Sequence, residues 1–138
     1  MRVLVLVKAT EQSEAGELAS VEDYVAMDQF HEKLVEAGVV LAADGLQPTS
    51  KGKRITFDAS GNHTVIDGPF AETKELVAGF QIWQVASMDE AVEWVKRSPM
   101  RDGQVELRKI FDAEDFGDSF TAELAAAEAQ ARTDLAQQ

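Results

Sequence analysis

Cysteine does not occur among the 138 residues, which excludes a disulfide scaffold, thiol nucleophiles and cysteine-ligated zinc. Basic residues are scarce: 13 Lys and Arg stand against 25 Asp and Glu, a net charge of −12. An excess of that size repels nucleic-acid backbones and anionic membrane surfaces, so neither is an expected partner. No apolar run approaches the roughly 20 residues that span a bilayer. Met1 to Lys8 is too short and wrongly flanked for a secretory signal. The two histidines, His31 and His63, show no ligand-type spacing, so no metal is expected. Gly-x-Gly-x-x-Gly, Walker and Gly-x-Ser-x-Gly sequences are missing too, which removes a nucleotide cradle and a serine-hydrolase elbow. The expectation is a cytoplasmic protein without cofactor or metal.

What the chain does hold is a hydrophobic content of 45 %, in a length that fits one domain with a genuine core. Val3 to Val7 is a continuous apolar run that suits a central strand. Glu11 to Ala19, polar and interrupted by Gly16, reads as a loop. Ser20 stands three residues before Asp23, a helix-start signal. Val21, Tyr24, Met27, Phe30 and Leu34 then form one stripe, and Gly38 stops it. The spacing predicts a helix over 21–37. Val39 to Ala43 is a short apolar run. Arg54 to Phe57 and His63 to Ile66 alternate in the strand manner around a hairpin loop at Asp58 to Asn62. Phe80 to Val85 is a further strand, Ser87 to Glu90 opens a second helix that ends at Pro99, and Val105 to Ile110 is the last strand.

Strand, helix, strand, hairpin, strand, helix, strand is the order of a ferredoxin-like α+β domain, the split βαβ pattern, with an inserted hairpin. Both helices then cover one sheet face. The other face lacks an apolar helix to cover it, and self-association is the economical solution. Two sheets facing one another give a homodimer with an enclosed or half-enclosed cavity.

The charge is unevenly spread. Residues 1–110 carry 18 acidic and 12 basic side chains, whereas residues 111–138 carry 7 and 1. Half of the net charge therefore lies beyond residue 110, where an acidic Ala/Glu/Gln-rich run reads as a helical tail to the body of the chain. The tail reads either as a solvated helix or as an arm on a partner subunit, anchored by Phe111, Phe116 and Phe120. The body's smaller excess and its basic turn at Lys51 to Arg54 admit a small metabolite as partner, an anionic one included.

The densest cluster of unusual residues is Asp67-Gly68-Pro69-Phe70-Ala71-Glu72-Thr73-Lys74-Glu75, followed by Leu76 to Phe80. With Gly45 to Pro48, Met88 to Ala91 and Val105 to Arg108, it resembles the YCII-related, or DGPF-domain, family over roughly residues 1–116, which implies a domain over 1–116 and leaves 117–138 as the acidic tail outside it. The resemblance implies a ferredoxin-like fold that pairs into a dimeric α+β barrel, in agreement with the order of elements. A related branch implies acid–base chemistry by a His and an Asp, with the His near the start of the first helix. Here that region holds Tyr24 to Met27 and no His; His31 follows about one turn later.

Two readings of the motif stand side by side. In one, Asp67, Gly68 and Pro69 are turn residues and Phe70 is a plug. In the other, the turn presents Asp67 at a cavity mouth, where desolvation between Ile66 and Phe70 suits a general acid or base. Glu72, Lys74 and Glu75 then line the rim, Lys74 orients an anionic substrate, and Gly68, Pro69, Phe70 and Trp83 shape the pocket. His31 is a second candidate for proton transfer, and His63 belongs to an exposed hairpin tip. Two functions follow. One is a cofactor-independent acid–base enzyme of isomerase, lyase or hydrolase type. The other is a non-catalytic ligand-binding or regulatory interaction module.

Overall fold

A computed structural model describes residues 1–119 and 121–138; Phe120, one of the expected tail anchors, lies outside the described residues. Strand β1 (Arg2–Lys8) sits inside the main sheet because its side chains alternate between two apolar faces. Val3 and Val5 are buried on one face, while Leu4 and Leu6 are half-buried on the other. Next come a short helix α1 (Glu11–Glu14), helix α2 (Val21–Glu36) and strand β2 (Val40–Gly45). Strands β3 (Lys53–Phe57) and β4 (His63–Asp67) form the inserted hairpin, followed by β5 (Val77–Gln84), α3 (Met88–Lys96) and β6 (Val105–Lys109).

The four-stranded sheet has the order β2-β5-β1-β6, and its pairs are antiparallel. Strand β5 lies between β1 and β2, and β1 lies between β5 and β6. Each strand–helix–strand unit is therefore split by a strand of the other, the ferredoxin-like arrangement. Register places Val3 opposite Trp83, and Val5 opposite Gln81 and Leu107. This face meets Phe30 and Leu34 of α2 and Ala91 of α3 in one core, with Val39 and Val85. The helices begin where their caps dictate: the Ser20 hydroxyl accepts from the Asp23 amide, and the Ser87 hydroxyl from the Glu90 amide.

Three local readings need adjustment. Helix α1 occupies part of the segment read as loop, held by reciprocal bonds between Thr10 and Ser13. The apolar stripe of α2 is buried only at Phe30 and Leu34, while Val21 is 80 % exposed, so the first turn stands clear of the core. Strand β5 starts at Val77, because the Leu76 carbonyl and Ala78 carbonyl already bond Ala9 and Leu46.

The hairpin forms a sheet of its own. Its register aligns Ile55 with Val65 and Phe57 with His63, and all four stay exposed. The tail forms helix α4 (Ala122–Ala136), in which no described side chain is buried. Leading to it, the Phe111 and Phe116 rings stack with centroids 4.8 Å apart, and Lys109 pairs with Asp115 at 3.0 Å. A shallow depression of about 400 Å³ between Leu4, Leu6, Phe111 and Arg132 places the tail along the β6 side of the open sheet face. Among the described residues, no helix is long and apolar enough to cross a membrane.

Candidate functional site

The motif after β4 is built on a neighbouring 3₁₀ turn, Thr49–Lys51. A Cβ on Gly68 would lie 1.6 Å from the Thr49 carbonyl oxygen, so only glycine fits. The Gly68 amide donates to the Gly52 carbonyl at 3.0 Å. One residue beyond Pro69, the Phe70 amide donates to Thr49 Oγ1 at 3.1 Å. That hydroxyl donates in turn to Glu14 Oε2 at 2.5 Å, and the Thr49 amide donates to Oε1 of the same carboxylate at 3.2 Å. The Arg54 guanidinium lies 4.0 Å over the half-buried Phe70 ring. Glu72 then takes a left-handed conformation, φ 62°, and leads into a second 3₁₀ turn, Thr73–Glu75. The motif thus ties the hairpin to α1 and to the β2–β3 connection.

Asp67 ends β4 opposite Lys53, whose Nζ donates to its Oδ1 at 2.5 Å. The desolvated setting expected between Ile66 and Phe70 is absent: the Asp67 side chain is 75 % exposed. A two-stranded ribbon solvates both of its faces. At the other end of the ribbon, Asp58 Oδ1 accepts from the Ser60 and Asn62 amides. The Asn62 backbone bond, seconded by the Asn62 side chain, holds the Asp58 carboxyl below its ordinary pKa.

A true cleft lies elsewhere, between the sheet and the helices. Val5, Val7 and Trp83 form its floor, and Met27, Phe30 and Val95 its roof. Its volume of about 30 Å³ admits little more than one water molecule. Gln81 and Ser98 are its polar groups. Trp83 Nε1 donates to Gln81 Oε1 at 2.8 Å, which leaves the Gln81 NH₂ as a donor with no other partner among the described residues. Past Met27 the surface opens into a depression of about 490 Å³ that includes Thr10, Asp23, Tyr24, Arg101 and Asp102. Thr10 and Asp102 are shared with a further depression of about 450 Å³, which also holds Lys8, Thr73, Lys74 and Gln104. Asp102 has φ 51°, a conformation that non-glycine residues rarely adopt and that concentrates at functional sites.

The expected site residues are therefore dispersed. Trp83 belongs to the cleft floor and the core beneath the helices, not to the open sheet face. The face a strand residue occupies follows from pairing with Val3, which the helices cover. His31 is half-buried on α2 and, among the described residues, makes no hydrogen bond or ion pair with Asp67. His63 is exposed, its ring 6.3 Å from that of Phe57. Gly68, Pro69, Phe70 and Glu72 build the turn, and Lys74 alone of this group reaches a depression. Sequence reading overlooked Lys8, Asp23, Gln81, Arg101 and Asp102. Asp102-Gly103 is the only local signal among them, a turn pair just before β6. Among the described residues, no group of three or more His, Asp and Glu could hold a metal ion.

These features sit within a domain of recognisable type. The family model of the YCII-related domain matches residues 1–114. The chain belongs to the YCII-related family. Helix α4 lies beyond the matched residues. An uncharacterised protein of Rhizobium meliloti (strain 1021) is 42 % identical over 64 residues, 46 % of this chain and 51 % of that protein. The match thus spans about half the length of this curated relative. Among solved structures, this YCII-related chain is similar to 5-chloro-2-hydroxyhydroquinone dehydrochlorinase (TftG) from Burkholderia phenoliruptrix AC1100, in complex with 2,5-dihydroxybenzoquinone. The TM-score is 0.43 at 18 % identity, over 83 % of this chain and 98 % of that one.

Proposed function

We propose that this YCII-related protein is a homodimer that binds a small molecule in the depression at the mouth of the cleft between its sheet and helices, and acts on it by cofactor-independent acid–base chemistry. The observation that carries the reading is the depression of about 490 Å³ at the mouth, which holds Asp23 and Asp102 and continues past Met27 into the narrow apolar cleft with its free Gln81 amide donor. Binding sites are commonly apolar concavities with a few directed polar groups. Asp23 and Asp102, at the mouth, are the proton-transfer groups in this reading, and Asp67 serves the hairpin through Lys53. The second copy covers the open sheet face, where Leu4, Leu6, Phe80 and Ile82 lie opposite the face that α2 and α3 close.

A metabolite screen by thermal shift, run on the wild type and on Met27→Trp, tests the site. A genuine ligand raises the wild-type midpoint in proportion to its occupancy and loses its effect when the added indole fills the mouth, which Met27 lines. Incubation with that ligand, followed by NMR, tests the chemistry. Asp23→Asn or Asp102→Asn is expected to keep binding and lose turnover at least about a hundredfold, the usual scale of general acid–base catalysis. A ligand that binds and emerges unchanged leaves a binding module and overturns the enzymatic half.

A further inference from the structure

We propose that the β3–β4 hairpin is an arm that grips a second copy of this chain, its apolar face seated on the segment between β6 and α4. The inference rests on the homodimer reading above and names a second contact between the copies. Register puts Ile55, Phe57, Val65 and His63 on one face of the ribbon, with Lys53 and Asp67 paired at its base. Arg54, Thr56, Thr64 and Ile66 form the other face, whose base turns to the body where Arg54 lies over Phe70. Such one-sided alternation is the pattern of a strand pair with one face covered. Within a single chain that face is bare: Phe57 is 67 % exposed, and Ile55 and Val65 are exposed beside it. A two-stranded ribbon needs packing to hold its form in water.

A second copy supplies what fits it. The open sheet face offers Leu4, Leu6, Phe80 and Ile82, all half-buried, on the order of 300 Å² of apolar area. Each partner in a stable interface contributes about 800 Å², so further surface joins the contact. Between β6 and α4, Phe111 is 61 % exposed and stacks on Phe116. Residues 111–119 hold four acidic side chains and no basic one, whereas residues 51–67 hold three basic and two acidic. In a chain of net charge −12, two copies repel unless a basic stretch meets an acidic one. Topology separates the two patches within one chain. Strands β1 and β2 run one way, β5 and β6 the other. The hairpin leaves where β2 ends and the acidic segment leaves where β6 ends, so they occupy opposite corners of the sheet. Those corners are roughly 20 Å apart or more. A two-fold axis along the other diagonal exchanges them, so each arm reaches the partner's Phe111 and the two contacts are identical.

Because the chain holds no cysteine, introduced thiols read the contact directly. His63→Cys places one on the arm's apolar face and Ala113→Cys one near Phe111, both at exposed positions. A chain carrying both should give a covalent dimer with a short bis-maleimide at micromolar concentration, and neither single variant should. Adding Phe57→Ser should abolish that cross-link. On its own it should weaken the dimer about tenfold or more in sedimentation equilibrium, the scale of one buried aromatic, with circular dichroism unchanged. A wild type that dimerises while the doubly substituted chain stays uncross-linked overturns the arm alone, as does an affinity that Phe57→Ser leaves unaltered. Cross-linking of His63→Cys by itself sets arm against arm and overturns the proposed seat. A wild-type monomer removes the arm together with the homodimer reading.

Discussion

Gly68 shows how much a single side-chain atom can decide. The Thr49 carbonyl oxygen occupies the volume that any Cβ would need, at 1.6 Å. The same carbonyl belongs to a turn whose 3₁₀ bond runs from the Gly52 amide at 2.9 Å, so it has little freedom to withdraw. Overpacking typically costs about 1–3 kcal/mol, and backbone opposition puts Gly68→Ala at the upper end. Urea unfolding should show its midpoint falling with an unchanged slope. An unaltered midpoint would mean that the turn yields, and that the motif is less rigid than its contacts imply. Asp67, two atoms of chemistry that looked catalytic, contrasts with this. Its carboxylate is consumed by Lys53 at 2.5 Å on an exposed ribbon, where ion pairs contribute little to stability.

At the scale of elements, three segments meet at the Thr49 hydroxyl. It donates to Glu14 after α1's capped start and accepts from the Phe70 amide of the motif. Thr49→Val keeps the shape and removes both bonds, leaving the Phe70 amide without its acceptor and the Glu14 carboxylate with only the backbone amide of residue 49. Such a loss costs about 1–3 kcal/mol. Hydrogen exchange is the direct measurement: amides of β3 and β4 should exchange about tenfold faster or more, while those of β1 keep their protection. Equal acceleration in β1 would show that the hairpin and the main sheet open as one unit. At the other end of the body, Lys109 and Asp115 fasten the segment before α4. The Asp112 backbone bond, followed by the Lys109 side chain, holds the Asp115 carboxyl below its ordinary pKa. The Asp115 hydrogen bond likewise raises Lys109.

Across the whole molecule, the asymmetry between the two sheet faces is the dominant fact. One face is closed by α2 and α3 over Val3, Val5 and Trp83. The other presents Leu4, Leu6, Phe80 and Ile82, all only half-buried within a single chain. In the proposed homodimer these side chains pack against their counterparts. Leu6→Asp places an unpaired carboxylate in that interface, which the desolvation penalty forbids. Sedimentation should find the wild type at twice the chain mass and the variant at the chain mass, with unchanged circular dichroism. A wild type that sediments as a monomer at micromolar concentration would remove the dimer. The uneven charge, concentrated beyond residue 110, then belongs to tails along the β6 side of each face.

Much of the architecture was legible because it is local. Alternation in β1, the Ser20 and Ser87 caps, the stop at Gly38 and the turn at Asp58 to Asn62 depend on neighbours within a few residues. The order of these pieces sufficed for the ferredoxin-like pattern, and the nonapeptide from Asp67 to Glu75 for the family. Placement of the candidate site was not local. The period of β5 separates Trp83 from Phe80 and Ile82, but only the helix crossings decide which set is buried. Likewise, Asp67 meets Lys53 through hairpin register, and Lys8 shares a depression with Lys74 only after β1 and β5 pair. The sequence by itself determined the elements, their order and the family. Tertiary structure alone decided which face closes and which side chains share a cleft, because those contacts join residues remote along the chain.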